Sequence, residues 1–194
     1  MGKGIKPPLN PERQRVSAAC LQPLLPANTP GGLSLAAAAE HHEGFAFELK
    51  KAAERAAVTQ VFGWDEALQY QLHLTEWQEC QPLLILMDGI PIGSVLLETI
   101  EPECHPAAEQ DSAGSAHSYF SRFFLLPQWQ GQGIGSAMLG AVIAWSDKAQ
   151  RPCRLTSLQG NPVRGLYRRF GFEKLTEDAQ FVTMVYHPHG KITL

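Results

Sequence analysis

F-F-L-L-P-Q-W-Q-G-Q-G-I-G, residues Phe123 to Gly135, decides how this chain is read. An apolar strand ends at Pro127, a glycine-rich turn follows at once, and the periodic apolar pattern of a helix begins at Ile134. Strand, glycine turn and helix in that order set a row of backbone N–H groups at a helix N-terminus, where the helix dipole favours an anion. The stretch therefore predicts a site for a phosphate or pyrophosphate.

Downstream, Ile134, Ala137, Met138, Ala141, Val142 and Trp145 form one stripe of a helix reaching about Ala149. Cys153 to Leu158 reads as a strand, and Pro162 to Phe170 as a short helix with proline in its first turn. Phe172 to Leu175 and Ala179 to Tyr186 read as a closing pair of strands. Upstream, Ser118 to Leu126 is a strand, and Leu83 to Met87, D-G, Ile90 to Ile100 is a hairpin signature. Residues 101 to 117 make a polar loop with Glu101, Glu103, Glu109 and Asp111 and no Lys or Arg. Earlier still come a short strand at Leu33 to Ala38 and a helix from about Glu43 to Thr59. Gly63 breaks the chain, and Asp65 is placed to cap a second helix through about Gln78. Helices come first, strands dominate the middle, and one helix joins two strands after the glycine turn. The fold class is α/β (α+β).

The 194 residues suit one domain plus a tail, and 44% hydrophobic residues supply a core. Residues 1–31 hold six of the 14 prolines and end in T-P-G-G, which reads as an extended or disordered tail; residues 32–194 read as the single domain. A homodimer is one way to order such a tail. A net charge of -3 with no long basic run argues against nucleic acid as partner. No apolar stretch approaches 18 residues and no leader pattern is seen, so no membrane role is expected. Cys20, Cys80, Cys104 and Cys153 form no C-x-x-C pair, which suggests a reducing, cytoplasmic setting and no zinc site. His187 and His189 flank Pro188 without an evident third ligand; no metal is expected, and this segment reads as tail.

Known phosphate-binding turns fit poorly. A dinucleotide fold needs G-x-G-x-x-G, but position 136 is Ser, and the strand C-R-L-T-S-L ends without the acid that would hold ribose. A P-loop needs G-K-[ST], which is absent. The second half of the chain is more telling. Twenty-six residues after Gly135 stands N-P-V-R-G-L-Y-R-R-F-G-F, Asn161 to Phe172. The two stretches, in this order and spacing, resemble the signatures of the GCN5-related N-acetyltransferase (GNAT) family. The family's Q/R-x-x-G-x-G/A turn stands as Gln130, Gly133 and Gly135, and its Asn with L-Y-x-x-x-G-F as Asn161, Leu166, Tyr167, Gly171 and Phe172. The resemblance covers about residues 83 to 186.

It implies a mixed, mostly antiparallel central sheet with splayed middle strands and helices on both faces. It implies acetyl-CoA as co-substrate, lying in the gap between the splayed strands. Backbone of Phe124, Leu125 and Leu126 would pair with the pantetheine amides, and the N–H groups of Gly131, Gln132, Gly133, Ile134, Gly135 and Ser136 would face the pyrophosphate. Gln130 would fix the turn, and Asn161 would bond pantetheine or cap its helix. Tyr167 is the expected general acid, protonating the leaving thiolate. The general base is less clear, because the strand Ser118 to Leu126 has no carboxylate. Glu98 is the first substitute and His117 the second. The amine acceptor, a small molecule or a protein, would meet the first two helices and the 101–117 loop, with Trp64 and Asp65 at the junction. That acidic loop is compatible with a cationic acceptor such as a polyamine, an aminoglycoside or a lysine side chain. The alternatives are a non-catalytic acyl-CoA-binding or protein-interaction module on the same fold, and a protein that uses the turn for another nucleotide.

Overall fold

The computed structural model describes residues 13–101 and 116–189. Its strands are β1 (Arg13–Arg15), β2 (Leu33–Ala37), β3 (Leu83–Met87), β4 (Ile90–Ile100), β5 (His117–Leu125), β6 (Cys153–Leu158), β7 (Glu173–Glu177) and β8 (Phe181–Tyr186). Its helices are α1 (Ala18–Leu21), α2 (Glu43–Phe62), α3 (Glu66–Glu79), α4 (Ile134–Ala149) and α5 (Arg164–Arg169). One sheet runs in the order β2-β3-β4-β5-β6-β8-β7, with β1 pairing the far end of β4. Every pair is antiparallel except β5 with β6.

Local chemistry builds the frame. The D-G pair between β3 and β4 sits at φ 50° for Asp88 and 81° for Gly89, the two positive values of a type I′ hairpin turn. Asp65 caps α3, its carboxylate accepting from the Leu68 N–H at 3.0 Å. Side chains alternate across the strands. One face of the sheet joins Ile85, Val95, Leu97, Phe120 and Met184 to Met138 and Val142 of α4 and to Tyr167 of α5. The other face carries α2, which packs on β4, β5 and β6, and α3 beside it. The sheet thus lies between two helical layers, as the family resemblance implied.

The tail expectation fails from residue 13 onward. β1 pairs Arg13 to Ile100 and Arg15 to Glu98, and Leu21 is fully buried in the core. Pro26 lies against α4 so closely that a Cβ on Gly140 would come within 2.9 Å of it. Prolines that read as disorder belong here to a segment of short helical turns, Ala18–Leu21 and Gln22–Leu24, that packs on α4, with Pro23 in a first turn where no N–H is needed. Residues 1–12 and 102–115 lie outside the described residues; the second set takes in Glu103, Glu109 and Asp111 of the expected acidic loop. The C-terminal segment is also tied down: Asp147 of α4 accepts from the Tyr186 hydroxyl at 2.9 Å and from the His189 N–H at 3.1 Å.

Candidate active site

The sheet opens at its centre. β5 and β6 pair only at Ser118 with Cys153 and Tyr119 with Arg154. β5 then runs on to Leu125 and β6 to Leu158 with no further pairing between them. A bulge starts the divergence. Ser94 faces Phe124 but Leu96 faces Ser121, so β5 carries one extra residue. Arg122 supplies it at φ 48°, a left-handed conformation that costs a non-glycine residue about 1–2 kcal/mol. Two bonds hold it there. Its guanidinium donates to the Cys80 carbonyl, and the Ser94 hydroxyl donates to the Arg122 carbonyl at 2.8 Å. Gly93 pairs with Leu125 just beyond the bulge, where nothing larger fits: a Cβ there would stand 2.4 Å from the Phe124 carbonyl oxygen.

The free edge of β5 leads through a 3-10 turn, Pro127–Trp129, into the glycine turn. Gly131 and Gly133 take φ 73° and 83°, and Gly133 is the N-cap of α4. A Cβ at either would meet no protein atom within 4 Å, so each glycine faces open space. Gln130 does fix the turn: its amide donates to the Leu125 carbonyl at 2.9 Å. Gln132 reaches back to the Gln128 carbonyl at 2.7 Å. Gln132 and Ser136 are exposed, whereas the Ile134 side chain is buried and only its backbone faces the turn. Gly135 permits close packing, with Leu166 of α5 3.4 Å and Phe123 3.7 Å from where its Cβ would be. This is an open glycine turn at a helix N-terminus, continuous with an unpaired strand edge, and helix N-termini favour anions. A pyrophosphate and an extended amide chain fit those two features.

Across the gap, Asn161 makes an Asx turn, its side-chain oxygen accepting from the Val163 N–H at 3.1 Å as α5 begins. Tyr167, from the same short helix, is buried, edge-on to Phe120 of β5 and 5.9 Å from Phe172 between ring centroids. Burial, and then the nearby charge of Glu54, raise the phenol well above its ordinary value. It is therefore protonated at neutral pH.

Glu54 is the group that sequence reading missed. It lies in the series Ala46, Lys50, Glu54, Val58, four residues apart on one side of α2, whose other three members are buried. Burial raises its carboxyl to about 7; Lys50 opposes the rise and Glu76 of α3 adds to it. Lys50 pairs with Glu76 at 3.1 Å, and His73 with Glu43 at 3.1 Å. Burial holds His73 below its ordinary value, against the opposing charge of Glu43. With Trp77, Ser94, Arg122 and Phe124, Lys50, His73 and Glu76 enclose a cavity of about 20 Å³, room for about one water. A polar seam therefore runs under α2 and α3 beside the bulge. The spacing of 46, 50, 54 and 58 was the available signal, a buried stripe interrupted by two charges.

The other expected site residues lie elsewhere. Glu98 is buried opposite Tyr119, at the closed end of the gap, with Arg13 4.0 Å away. Four residues of strand, about 13 Å, separate it from Ser94. His117 opens β5, one residue before its first pairing with β6, and is likewise away from the gap. Trp64 donates to Glu66 at 2.8 Å with the Arg55 guanidinium over its ring, and Asp65 is a helix cap. Both serve the α2–α3 junction.

Residues 80–174 match the family model described as an acetyltransferase (GNAT) domain. No curated protein matches the chain by sequence. Among solved structures, PH1933 from Pyrococcus horikoshii OT3 aligns with a TM-score of 0.61 at 13% identity, covering 81% of this chain and 99% of that one. The PaiA N-acetyltransferase from Thermoplasma acidophilum, in complex with coenzyme A, aligns at 0.53 and 15%, covering 80% and 98%. The histone acetyltransferase HPA2 and related acetyltransferase from Corynebacterium glutamicum ATCC 13032 aligns at 0.57 and 18%, covering 84% and 99%. At these identities the neighbours establish the fold. The family model over residues 80–174, with the splayed β5–β6 pair, the glycine turn and the Asn161–Phe172 stretch, identifies an acetyltransferase domain of the GCN5-related N-acetyltransferase type in this chain.

Proposed function

We propose that the chain moves an acetyl group from acetyl-CoA to a primary amine by direct attack, with Tyr167 as general acid. One observation carries this reading: the free edge of β5 runs straight into the open glycine cradle, and a buried phenol stands against β5 beside the gap. Bound acetyl-CoA would supply the thioester. Phe124 to Leu126 would hold its pantetheine arm as an added strand, and the N–H groups of Gly131 to Ser136 its pyrophosphate. The Leu125 carbonyl already accepts from Gln130, so the Gln130 amide shapes the edge that pantetheine meets.

Attack of nitrogen on the thioester carbon breaks the carbon–sulfur bond. The departing sulfur needs a proton, and Tyr167 donates its own. The acceptor enters from the α2–α3 side, where the polar seam lies. Small-molecule and protein amines both suit this approach. Free Cys20, Cys80 and Cys153 support a cytoplasmic setting. Among the described residues no helix is long and apolar enough to cross a membrane.

A thiol-release assay with acetyl-CoA and a panel of primary amines tests the proposal; at least one amine should release coenzyme A catalytically. The missing carboxylate on β5 favours a second reading, a non-catalytic acyl-CoA-binding module. Coenzyme A binding without turnover on any amine would support that reading instead.

A further inference from the structure

We propose that Glu54 is the group that takes the proton from the acceptor amine, acting from the face of the sheet opposite α5. The inference rests on the acetyltransferase reading and deepens it.

Placement carries the inference. Lys50, one turn before Glu54, borders the same cavity as Arg122 and Phe124 on β5. Gln60, further along α2, lies 3.4 Å from where a Cβ on Gly160 would be, just past the end of β6. At 1.5 Å per residue, Glu54 is about 6 Å along the axis from the first point and about 9 Å from the second. The helix therefore spans the mouth of the gap, and Glu54 lies between its two walls. Among the described residues the neighbouring cation, Lys50, is bound to Glu76, which leaves the Glu54 carboxylate without an ion pair. The charged and titratable groups coupled to it are Lys50 on its own helix, Glu76 on α3 and Tyr167 on α5. A carboxyl that titrates near neutrality is suited to accept a proton there.

The proton balance closes with these two residues. Glu54 takes one proton from the bound ammonium, leaving a neutral amine. Its nitrogen bonds to the thioester carbon, the carbon–sulfur bond breaks, and sulfur leaves with the Tyr167 proton. The nitrogen sheds a second proton, which restores the phenol. Glu54 returns its proton to solvent. The products are the amide, coenzyme A thiol and one proton released.

The test compares wild type, Glu54→Gln and Glu54→Asp by thiol release, using acetyl-CoA and the best amine among phenethylamine, spermidine and a lysine peptide. In wild type, kcat/KM for the amine should rise through a midpoint near 7. Glu54→Gln should lower it by ~10²–10⁴-fold and lose that midpoint, with the KM for acetyl-CoA within twofold. Glu54→Asp should recover part of the rate and keep a midpoint. An active wild type whose Glu54→Gln variant keeps both rate and midpoint would overturn the inference and leave the acetyltransferase reading standing. A wild type that turns over none of a broad amine panel would overturn both. A carbon-13 NMR titration of the Glu54 carboxyl needs no turnover: a midpoint near 7 supports the assignment, and an ordinary carboxylate midpoint refutes it.

Discussion

Gly93→Ala probes the gap at its hinge without touching any residue assigned to chemistry. The new Cβ would stand 2.4 Å from the Phe124 carbonyl oxygen and 2.7 Å from Leu125 Cδ2. Ordinary contact begins at 3.4 Å, so the carbonyl must retreat by 1.0 Å. That carbonyl is backbone on the free stretch of β5 and cannot swing aside as a side chain end would. Overpacking of this kind costs about 1–3 kcal/mol. Replacing glycine also stiffens the unfolded chain, which offsets up to about 1 kcal/mol. The clash wins, with a net loss of about 1–2 kcal/mol, or about 2–8 °C in Tm for a chain of this size. Because the displaced segment is the edge expected to meet pantetheine, coenzyme A should bind about tenfold more weakly, the equivalent of one hydrogen bond. Calorimetric titration and thermal denaturation read the two effects. Gly165→Ala on α5 is the control: a Cβ there meets nothing within 4 Å, and it should stabilise by up to about 1 kcal/mol. Wild-type stability and wild-type coenzyme A affinity in Gly93→Ala would show that the β5 edge does not depend on the space at Gly93.

Tyr167→Phe should lower kcat by ~10²–10⁴-fold while coenzyme A affinity stays within twofold, since only the proton donor is lost; an unchanged kcat removes Tyr167 from the mechanism. Asp147→Ala strips a charged acceptor from both the Tyr186 hydroxyl and the His189 N–H, and should cost about 1–3 kcal/mol in denaturant unfolding. Glu54 ionises near 7 in the fold against an ordinary 4.5, so the fold holds its proton more tightly than the unfolded chain does. The stability this contributes is complete below about pH 4.5 and is lost as pH rises through 7. Tm should therefore fall between pH 5 and 8 more steeply in wild type than in Glu54→Gln; parallel curves would contradict the burial of that carboxyl.

Elements specified by their own residues were legible without a structure. The D-G hairpin, the Asp65 cap and the Ile134–Ala149 helix all rest on contacts a few residues apart. The glycine turn was legible as well, because Gly131 and Gly133 sit in left-handed backbone that favours glycine. What escaped depends on distant partners. β1 exists because Arg13 to Arg15 find Ile100 to Glu98, some 85 residues away, and nothing within a proline-rich segment announces that pairing. The Arg122 bulge is equally silent in S-R-F-F-L; Ser94 and Cys80 hold it from other elements. Glu54 stands in an Ala, Lys and Glu helix where a carboxylate reads as solvated. Only the packing of α2 across the split sheet leaves it half-buried. Glu98 is near the end of a central strand, but at the end where β5 and β6 are still joined, a placement only the pairing reveals.

The splayed strands and glycine turn are proposed above as a coenzyme A site. Calorimetric titration of coenzyme A into the wild-type chain and Gly133→Val tests it most directly. A valine at φ 83° strains the N-cap of α4 and fills the open face of the cradle. Wild type should bind one coenzyme A per chain with micromolar affinity, more tightly than ATP or NAD, and a folded Gly133→Val should bind it at least tenfold more weakly. No binding at millimolar coenzyme A, or tighter binding of ATP or NAD, would contradict a coenzyme A site.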